Sequence, residues 1–327
     1  RERRRDALLA TFAATRPDAV VLEGFPFARR AFRFELDPLI EASRAARWRS
    51  GGRLQGRPAV ICSVRDIVVV RDDSGRHREI VDRVRRDIDL VLIHGDPALV
   101  PFEASFPAAP DIADRLVYTG YVAQPRVEAG AGAANEGDAG EVIVSAGGGA
   151  AGRTLLDVAL ATRLAGCLAD LPWRIITGTN LPDGDFARLR ASAPAGVAVE
   201  RFRDDFATLL RACRVSISQA GYNTVLDLLA ARARAVLVPF AAGRETEQPL
   251  RAERLAGLGA AELVRESELS TATLKAAIER AASRPLPNLV IDTGGAARSA
   301  RLIAEMIGAD RAATDRFVAP ADQAIVA

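Results

Sequence analysis

Residues 215–231 read VSISQAGYNTVLDLLAA. The apolar run at 215–218 predicts a short strand, and apolar residues at helical spacing over 224–231 predict a helix. Between them, Gly221 offers a tight turn, with Asn223 or Thr224 as the helix cap. A strand that enters a helix through a glycine turn is the repeating unit of a doubly wound parallel sheet. The start of such a helix presents unpaired N–H groups and the positive end of a dipole, which suits a diphosphate. Asp227 lies about one turn inside this helix. Its carboxylate can accept hydrogen bonds from a ribose diol beside the phosphates, or it can simply complement the helix dipole.

The same alternation extends outward in both directions. Strands are expected at 142–146, 174–177, 197–202, 235–239 and 261–264. Helices fill the gaps at 153–168, 185–191, 206–213, 247–258 and 271–282, and a helix at 296–307 closes the series. The first part of the chain repeats the scheme with strands at 19–23, 59–64, 90–94 and 117–122 and helices at 35–47 and 78–86. Residues 124–140, QPRVEAGAGAANEGDAG, lack periodicity and read as linker. The expected organisation is therefore a partial Rossmann-like domain at 1–122, a linker at 123–140, a second Rossmann-like domain at 141–308 and a tail at 309–327. The fold class is α/β, with two doubly wound parallel sheets facing a cleft.

Two further loops carry chemistry. Residues 145–152, SAGGGAAG, leave a predicted strand and enter a helix. Glycines there let the backbone approach an anion, or merely let strand and helix pack. The spacing matches G-x-G-x-x-G, but the next strand ends Ile-Ile-Thr-Gly with no acid for an adenosine ribose, which argues against a dinucleotide site. No Gly-Lys-Ser/Thr follows, so a P-loop is excluded. After the strand at 235–239, a polar loop leads to Glu247 and Gln248, suited to bidentate contacts with sugar hydroxyls, or an ordinary helix start.

Composition narrows the class. The chain has 327 residues, 49% hydrophobic, with 44 basic against 42 acidic side chains, which favours two folded domains and gives nucleic acid no electrostatic foothold. Three cysteines without C-x-x-C pairing and two histidines suggest neither a disulfide framework nor a zinc cage. The acidic pairs Asp72-Asp73 and Asp204-Asp205 sit beside arginines and read as loop charges and a helix start; no metal is expected. No apolar run reaches membrane-spanning length, and the chain reads as cytoplasmic. It opens on Arg1 and its sole methionine is Met306, so a longer natural chain is expected, with part of the first domain ahead of Arg1.

The segments SAGGGAAG, VAVERFRDDFATLLRACRVSISQAGYNTVLDLLAA (197–231) and VLVPFAAGRETEQPLRAERLAGLGAAELV (236–264), in this order, resemble the nucleotide-sugar domain of inverting GT-B glycosyltransferases of family 28. The resemblance implies a UDP-sugar donor, with N-acetylhexosamine or hexose transferred to an acceptor hydroxyl and no metal required. Carried onto this chain, it implies that Phe202 and Arg203 present backbone groups to uracil, and that Gly221, Tyr222, Asn223 and Thr224 cradle the diphosphate. Asp227 stands where the family has a ribose-binding glutamate. Glu247 and Gln248 stand where it has a glutamine pair on the donor sugar, and Gly148 and Gly149 approach the phosphate and acceptor side. The first part resembles a branch of bacterial glycosyltransferases through DAVVLEGFPFARRAFRFELDPLIEA (18–42), CSVRDI (62–67), LIHGDP (92–97) and YTGYV (118–122). A lipid-linked acceptor would bring the protein to the inner face of the membrane; a small-molecule acceptor would not.

Such a transfer needs a base. Glu23, Asp66 and His94 each follow an apolar strand at its carboxyl end and are the candidates, in competition with whatever precedes Arg1. The other readings are a nucleotide-sugar epimerase or hydrolase on the same fold, and a non-catalytic nucleotide-sugar-binding subunit.

Overall fold

A computed structural model describes residues 1–48, 57–69, 73–123, 140–147, 152–243 and 245–308. The chain divides into two compact units: Arg1–Ala123 together with the residues from Asp292 onward, and the stretch that ends at Ile291.

In the first unit, α1 (Glu2–Thr15) precedes β1 (Ala19–Glu23), α2 (Arg33–Ala45), β2 (Ala59–Arg65), α3 (Ser74–Asp87), β3 (Leu90–His94) and β4 (Leu116–Tyr118). The strands are parallel and lie in the order β1-β2-β3-β4. Val60, Ile61 and Cys62 of the inner strand β2 are all fully buried, because both faces of the sheet are covered. On the edge strand β1 the pattern alternates instead, with Leu22 buried and Val21 49% exposed. The last strand was expected to reach Val122 but ends at Tyr118. Gly120 turns the backbone to a positive φ of 84° and takes it out of the ladder.

The second unit contains β5 (Val142–Ser145), α4 (Arg153–Leu164), β6 (Trp173–Ile176), α5 (Asp183–Ala191), β7 (Val197–Glu200), α6 (Phe206–Ala212) and β8 (Val215–Ser218). It continues with α7 (Tyr222–Ala231), β9 (Ala235–Leu237), α8 (Glu247–Gly257), β10 (Glu262–Leu263) and α9 (Thr271–Ser283). Its six strands are parallel, in the order β10-β9-β8-β5-β6-β7. The chain winds from β5 through β6 to β7, then crosses back to lay β8 on the other side of β5. That reversal is the switch point at which open α/β sheets bind ligands. The core beneath it joins Val142, Val144, Trp173, Ile175, Val215, Ile217 and Val236 to Leu155, Leu156 and Ile278. Each such buried aliphatic side chain contributes about 1.5–3 kcal/mol.

One expected boundary is wrong. The helix placed at the close of the second domain, α10 (Gly295–Met306), belongs to the first unit. Leu302 and Ile303 pack on Ile61, Leu90 and Leu92, the sheet face that the earlier helices leave bare. The junction is a backbone clasp. Tyr121 N–H donates to Asp292 O at 2.7 Å, Gly295 N–H donates to Tyr121 O at 3.1 Å, and Asp292 pairs with Arg298 at 2.9 Å. A methyl group on Gly295 would lie 2.3 Å from Gly120 O, so only glycine permits this approach. The helix period at 296–307 was legible; which sheet it would cover was not. The tail at 309–327 lies outside the described residues.

Gly295→Ala is expected to destabilise the first unit by about 1–3 kcal/mol through this overpacking. Gly257→Ala, where the added methyl meets open space, is the control expected to be neutral or stabilising. Urea unfolding of the two variants checks this, and equal midpoints would contradict the clasp.

Candidate functional site

The switch point brings together the loops that leave β5 and β8. At the β5 exit Gly147 adopts φ 67°, and a methyl group there would lie 4.0 Å from Gln219 Oε1 of the β8 loop. Gly148 and Gly149 lie outside the described residues. Gly152, at the start of α4, has a packing reason of its own: an added Cβ would fall 2.2 Å from the Ala146 Cβ.

At the β8 exit the helix starts earlier than expected. Gly221 is the N-cap, with φ −63° and ψ 150°, and Tyr222 is already helical, so Asn223 and Thr224 stand in the first turn rather than at the cap. The first return hydrogen bond runs from Val225 N–H to Gly221 O at 3.0 Å, and no side chain among the described residues caps this terminus. The Gly221 backbone is open to any residue, and an added Cβ would find only Thr224 Oγ1 at 3.9 Å. Neither strain nor crowding therefore demands glycine. What it provides is a helix start that no side chain among the described residues caps. Asn223 is exposed, Thr224 and Asp227 are half-buried, and spacings of three and four residues place them on one face of α7.

A second layer holds this loop in place. Arg251 of α8, 1% exposed, donates from Nη1 to Ala220 O at 3.0 Å, pairs with Glu247 at 2.9 Å and lies 5.6 Å from the Tyr222 ring centroid. Gln248 Oε1 accepts from Ala220 N–H at 3.2 Å and from Phe240 N–H at 3.1 Å, tying the loops after β8 and β9 together. Glu245 accepts from the Glu247 and Gln248 amides and so caps α8. Glu247 and Gln248 thus have structural partners, and the amide nitrogen of Gln248 is the end left to address a ligand. Beside them a cavity of about 380 Å³ opens beyond β9 and β10, lined by Pro239, Ala241, Pro249, Leu263 and Glu266 among others. Arg251 was not legible as a site residue, since nothing in a lone arginine on a helix marks it as buried.

Phe202 and Arg203 follow β7, which ends at Glu200 and not at Phe202. Thr177 N–H to Glu200 O, at 2.9 Å, is the hydrogen bond that carries the pairing past the end of β6, and the backbone then leaves the sheet. Phe202 is 68% exposed, an apolar ring in water at the ligand edge of the sheet. Arg203 grips Asp205 with two hydrogen bonds of 2.7 and 2.6 Å, and that contact raises the guanidinium pKa.

The three base candidates share the carboxyl edge of the first unit's sheet but differ in environment. Glu23 is exposed and pairs with Arg29 at 2.9 Å. Asp66 is fully buried: it accepts from Ile67 N–H at 3.0 Å and Tyr121 Oη–H at 3.3 Å, and Gly95 packs on its Cβ. An accessible general base cannot be fully buried, so Asp66 is corrected to a turn anchor. His94 is half-buried, with Nε2 2.7 Å from Ser63 Oγ and Nδ1 2.9 Å from Thr119 Oγ1, and burial lowers its pKa below 6.5. Ser63 and Thr119 went unnoticed because small hydroxyl residues at strand ends carry no sequence signal. Asp73 caps α3, and no group of three or more His, Cys, Asp or Glu that could hold a metal occurs among the described residues.

Residues 148–305 match the glycosyltransferase family 28 C-terminal domain. A UDP-N-acetylglucosamine–N-acetylmuramyl-(pentapeptide) pyrophosphoryl-undecaprenol N-acetylglucosamine transferase of Xanthomonas oryzae pv. oryzae (strain MAFF 311018) is 30% identical over 215 residues, which is 65% of this chain and 43% of that relative. The transferase of the same name from Phenylobacterium zucineum (strain HLK1) is 26% identical over 272 residues, 81% of this chain and 70% of the relative. The chain thus spans less than half the length of the first of these. Among solved structures, Acinetobacter baumannii MurG aligns with a TM-score of 0.53 and 19% identity, over 96% of this chain and 76% of that one. The architecture of two parallel α/β sheets is that of the GT-B glycosyltransferases.

Arg251→Met removes a buried charged donor from Ala220 and Glu247, and is expected to cost the second unit about 2–3 kcal/mol. Trp173, buried in that unit's core, reports its unfolding by fluorescence. A loss below about 0.5 kcal/mol, the scatter of ordinary surface substitutions, would contradict the role given to Arg251.

Proposed function

We propose that this chain, whose residues 148–305 match the glycosyltransferase family 28 C-terminal domain, moves a sugar, an N-acetylhexosamine or hexose, from a UDP-linked donor to an acceptor hydroxyl with inversion at the anomeric carbon. The observation that carries the reading is the start of α7 at the β5–β8 switch point, which no side chain among the described residues caps and where no described neighbour demands glycine.

In this reading the backbone around Gly221, Tyr222, Asn223 and Thr224 holds the diphosphate. As the glycosidic bond breaks, negative charge grows on the leaving oxygen, and preoriented amides at a helix start stabilise it without a metal. Asp227, one turn further on the same face, accepts from the ribose hydroxyls. Backbone groups at Phe202 and Arg203 address uracil, with the exposed Phe202 ring as a surface for the base. Glu247 and Gln248 meet the donor sugar with what their structural bonds leave over, while Gly148 and Gly149 approach the phosphate. The first unit takes the acceptor. A lipid-linked acceptor would place the protein at the inner face of the membrane; no helix among the described residues is long and apolar enough to cross one.

Calorimetry against UDP, ADP, GDP and NAD tests the donor assignment, with UDP expected to bind tightest. Tighter binding of any of the other three would overturn it. Asp227→Ala should weaken UDP about tenfold, roughly the 1.4 kcal/mol of a lost hydrogen bond to a charged group, and leave inorganic pyrophosphate binding unchanged. Gly221→Ala is expected to shift stability by less than about 1 kcal/mol, the scale of an N-cap change. It should nonetheless cut UDP affinity at least tenfold. Unchanged affinity would show that the helix start holds no diphosphate.

A further inference from the structure

At the carboxyl ends of β2, β3 and β4, three side chains are joined by short hydrogen bonds. Ser63 Oγ lies 2.7 Å from His94 Nε2, and His94 Nδ1 lies 2.9 Å from Thr119 Oγ1. Thr119 is fully buried, and its single hydroxyl proton has the carbonyls of Gly120 at 2.9 Å and Ile93 at 3.2 Å within reach, as well as the ring. When that proton goes to a carbonyl, the Thr119 oxygen faces His94 with a lone pair and Nδ1 carries the proton of the neutral ring. Nε2 is then the basic nitrogen, and the Ser63 hydroxyl donates to it. In that tautomer the Nε2 lone pair is aimed at a hydroxyl that is itself half-buried at the carboxyl edge of the sheet.

Several charged groups lie near this pair. Arg65, level with His94 in the β2–β3 register, is exposed. Glu23, level with Ser63 in the β1–β2 register, pairs with Arg29. Asp66, under Gly95, is bonded to Ile67 and Tyr121, and Asp292 beside Gly120 is held by Arg298. Asp96, two residues beyond His94, accepts from the Ala98 amide. Burial alone lowers the imidazole pKa, which keeps the ring neutral and ready for a proton near pH 7.

We propose that Ser63 and His94 form a proton relay for the acceptor, in which the Ser63 oxygen receives the proton of the attacking hydroxyl and Thr119 is the positioning residue that fixes the imidazole. The relay rests on the glycosyl-transfer reading above. The acceptor O–H bond breaks as its proton bonds to Ser63 Oγ, while the proton of Ser63 passes to His94 Nε2. The acceptor oxygen's electron pair forms the new bond to the anomeric carbon. The bond from that carbon to the diphosphate breaks with its electrons going to UDP, and the imidazolium afterwards returns its proton to solvent.

The test uses the full chain with UDP-N-acetylglucosamine, water standing in for the acceptor hydroxyl, and UDP release as the readout. Ser63→Ala and His94→Gln should each slow release about 100-fold, the low end of general-base contributions. Calorimetric affinity for UDP should stay unchanged, and His77→Gln should behave as the parent. The parent's rate should rise with pH to a plateau through a pKa below 6.5, and His94→Gln should lose that limb. The chain has two histidines, so nitrogen NMR resolves the ring directly: His94 should be the Nδ1–H tautomer at neutral pH, lost in Thr119→Val and kept in Thr119→Ser. An Nε2–H tautomer, or Ser63→Ala retaining more than half the parental rate, overturns the relay. A parent that binds UDP yet releases none from the donor overturns the transfer reading itself, and the relay falls with it.

Discussion

β5 bonds to β6 on one side and to β8 on the other, and the second unit's capacity to hold a ligand depends on that reversal. Right-handed crossovers that run in opposite directions along one sheet send their helices to opposite faces. At the carboxyl edge of the sheet the chain places Gly147 just after β5 and Gly221 just after β8. A side chain is tolerable at Gly221 as far as the fold is concerned, so its absence concerns what must come close from outside.

An open helix start is useful only if it does not move. Two side chains of α8 see to this from beneath. Arg251 spans the Ala220 carbonyl, the Glu247 carboxylate and the Tyr222 ring, and Gln248 gathers amides from the loops after β8 and β9. Such a layer keeps backbone dipoles aimed before charge develops, which is the condition for stabilising it cheaply. The first unit uses the same device on a smaller scale: Gly95 packs on Asp66, Asp66 holds Tyr121, and the Tyr121 backbone anchors α10.

Much of this was legible beforehand. The alternating strands and helices, their parallel arrangement and the glycine turn at Gly221 all follow from local periodicity and turn chemistry. The candidate residues at strand ends were legible as positions but not as environments. Glu23, Asp66 and His94 look alike in sequence, each a polar residue closing an apolar strand. In the fold one is exposed, one is sealed under a glycine, and one is wired between two hydroxyls. Arg251 and Thr119 were missed for the same reason, because burial is a property of what packs on a residue from elsewhere in the chain.

By itself, then, the sequence determined the class of fold, the order of its elements and the glycine turn that enters a helix after β8, since these rest on residues near one another along the chain. The tertiary structure decided that α10 completes the first sheet rather than the second, and that strand β7 stops before Phe202. Those outcomes depend on contacts between segments far apart in sequence, where a carbonyl 2.3 Å from a missing methyl settles what no local pattern encodes.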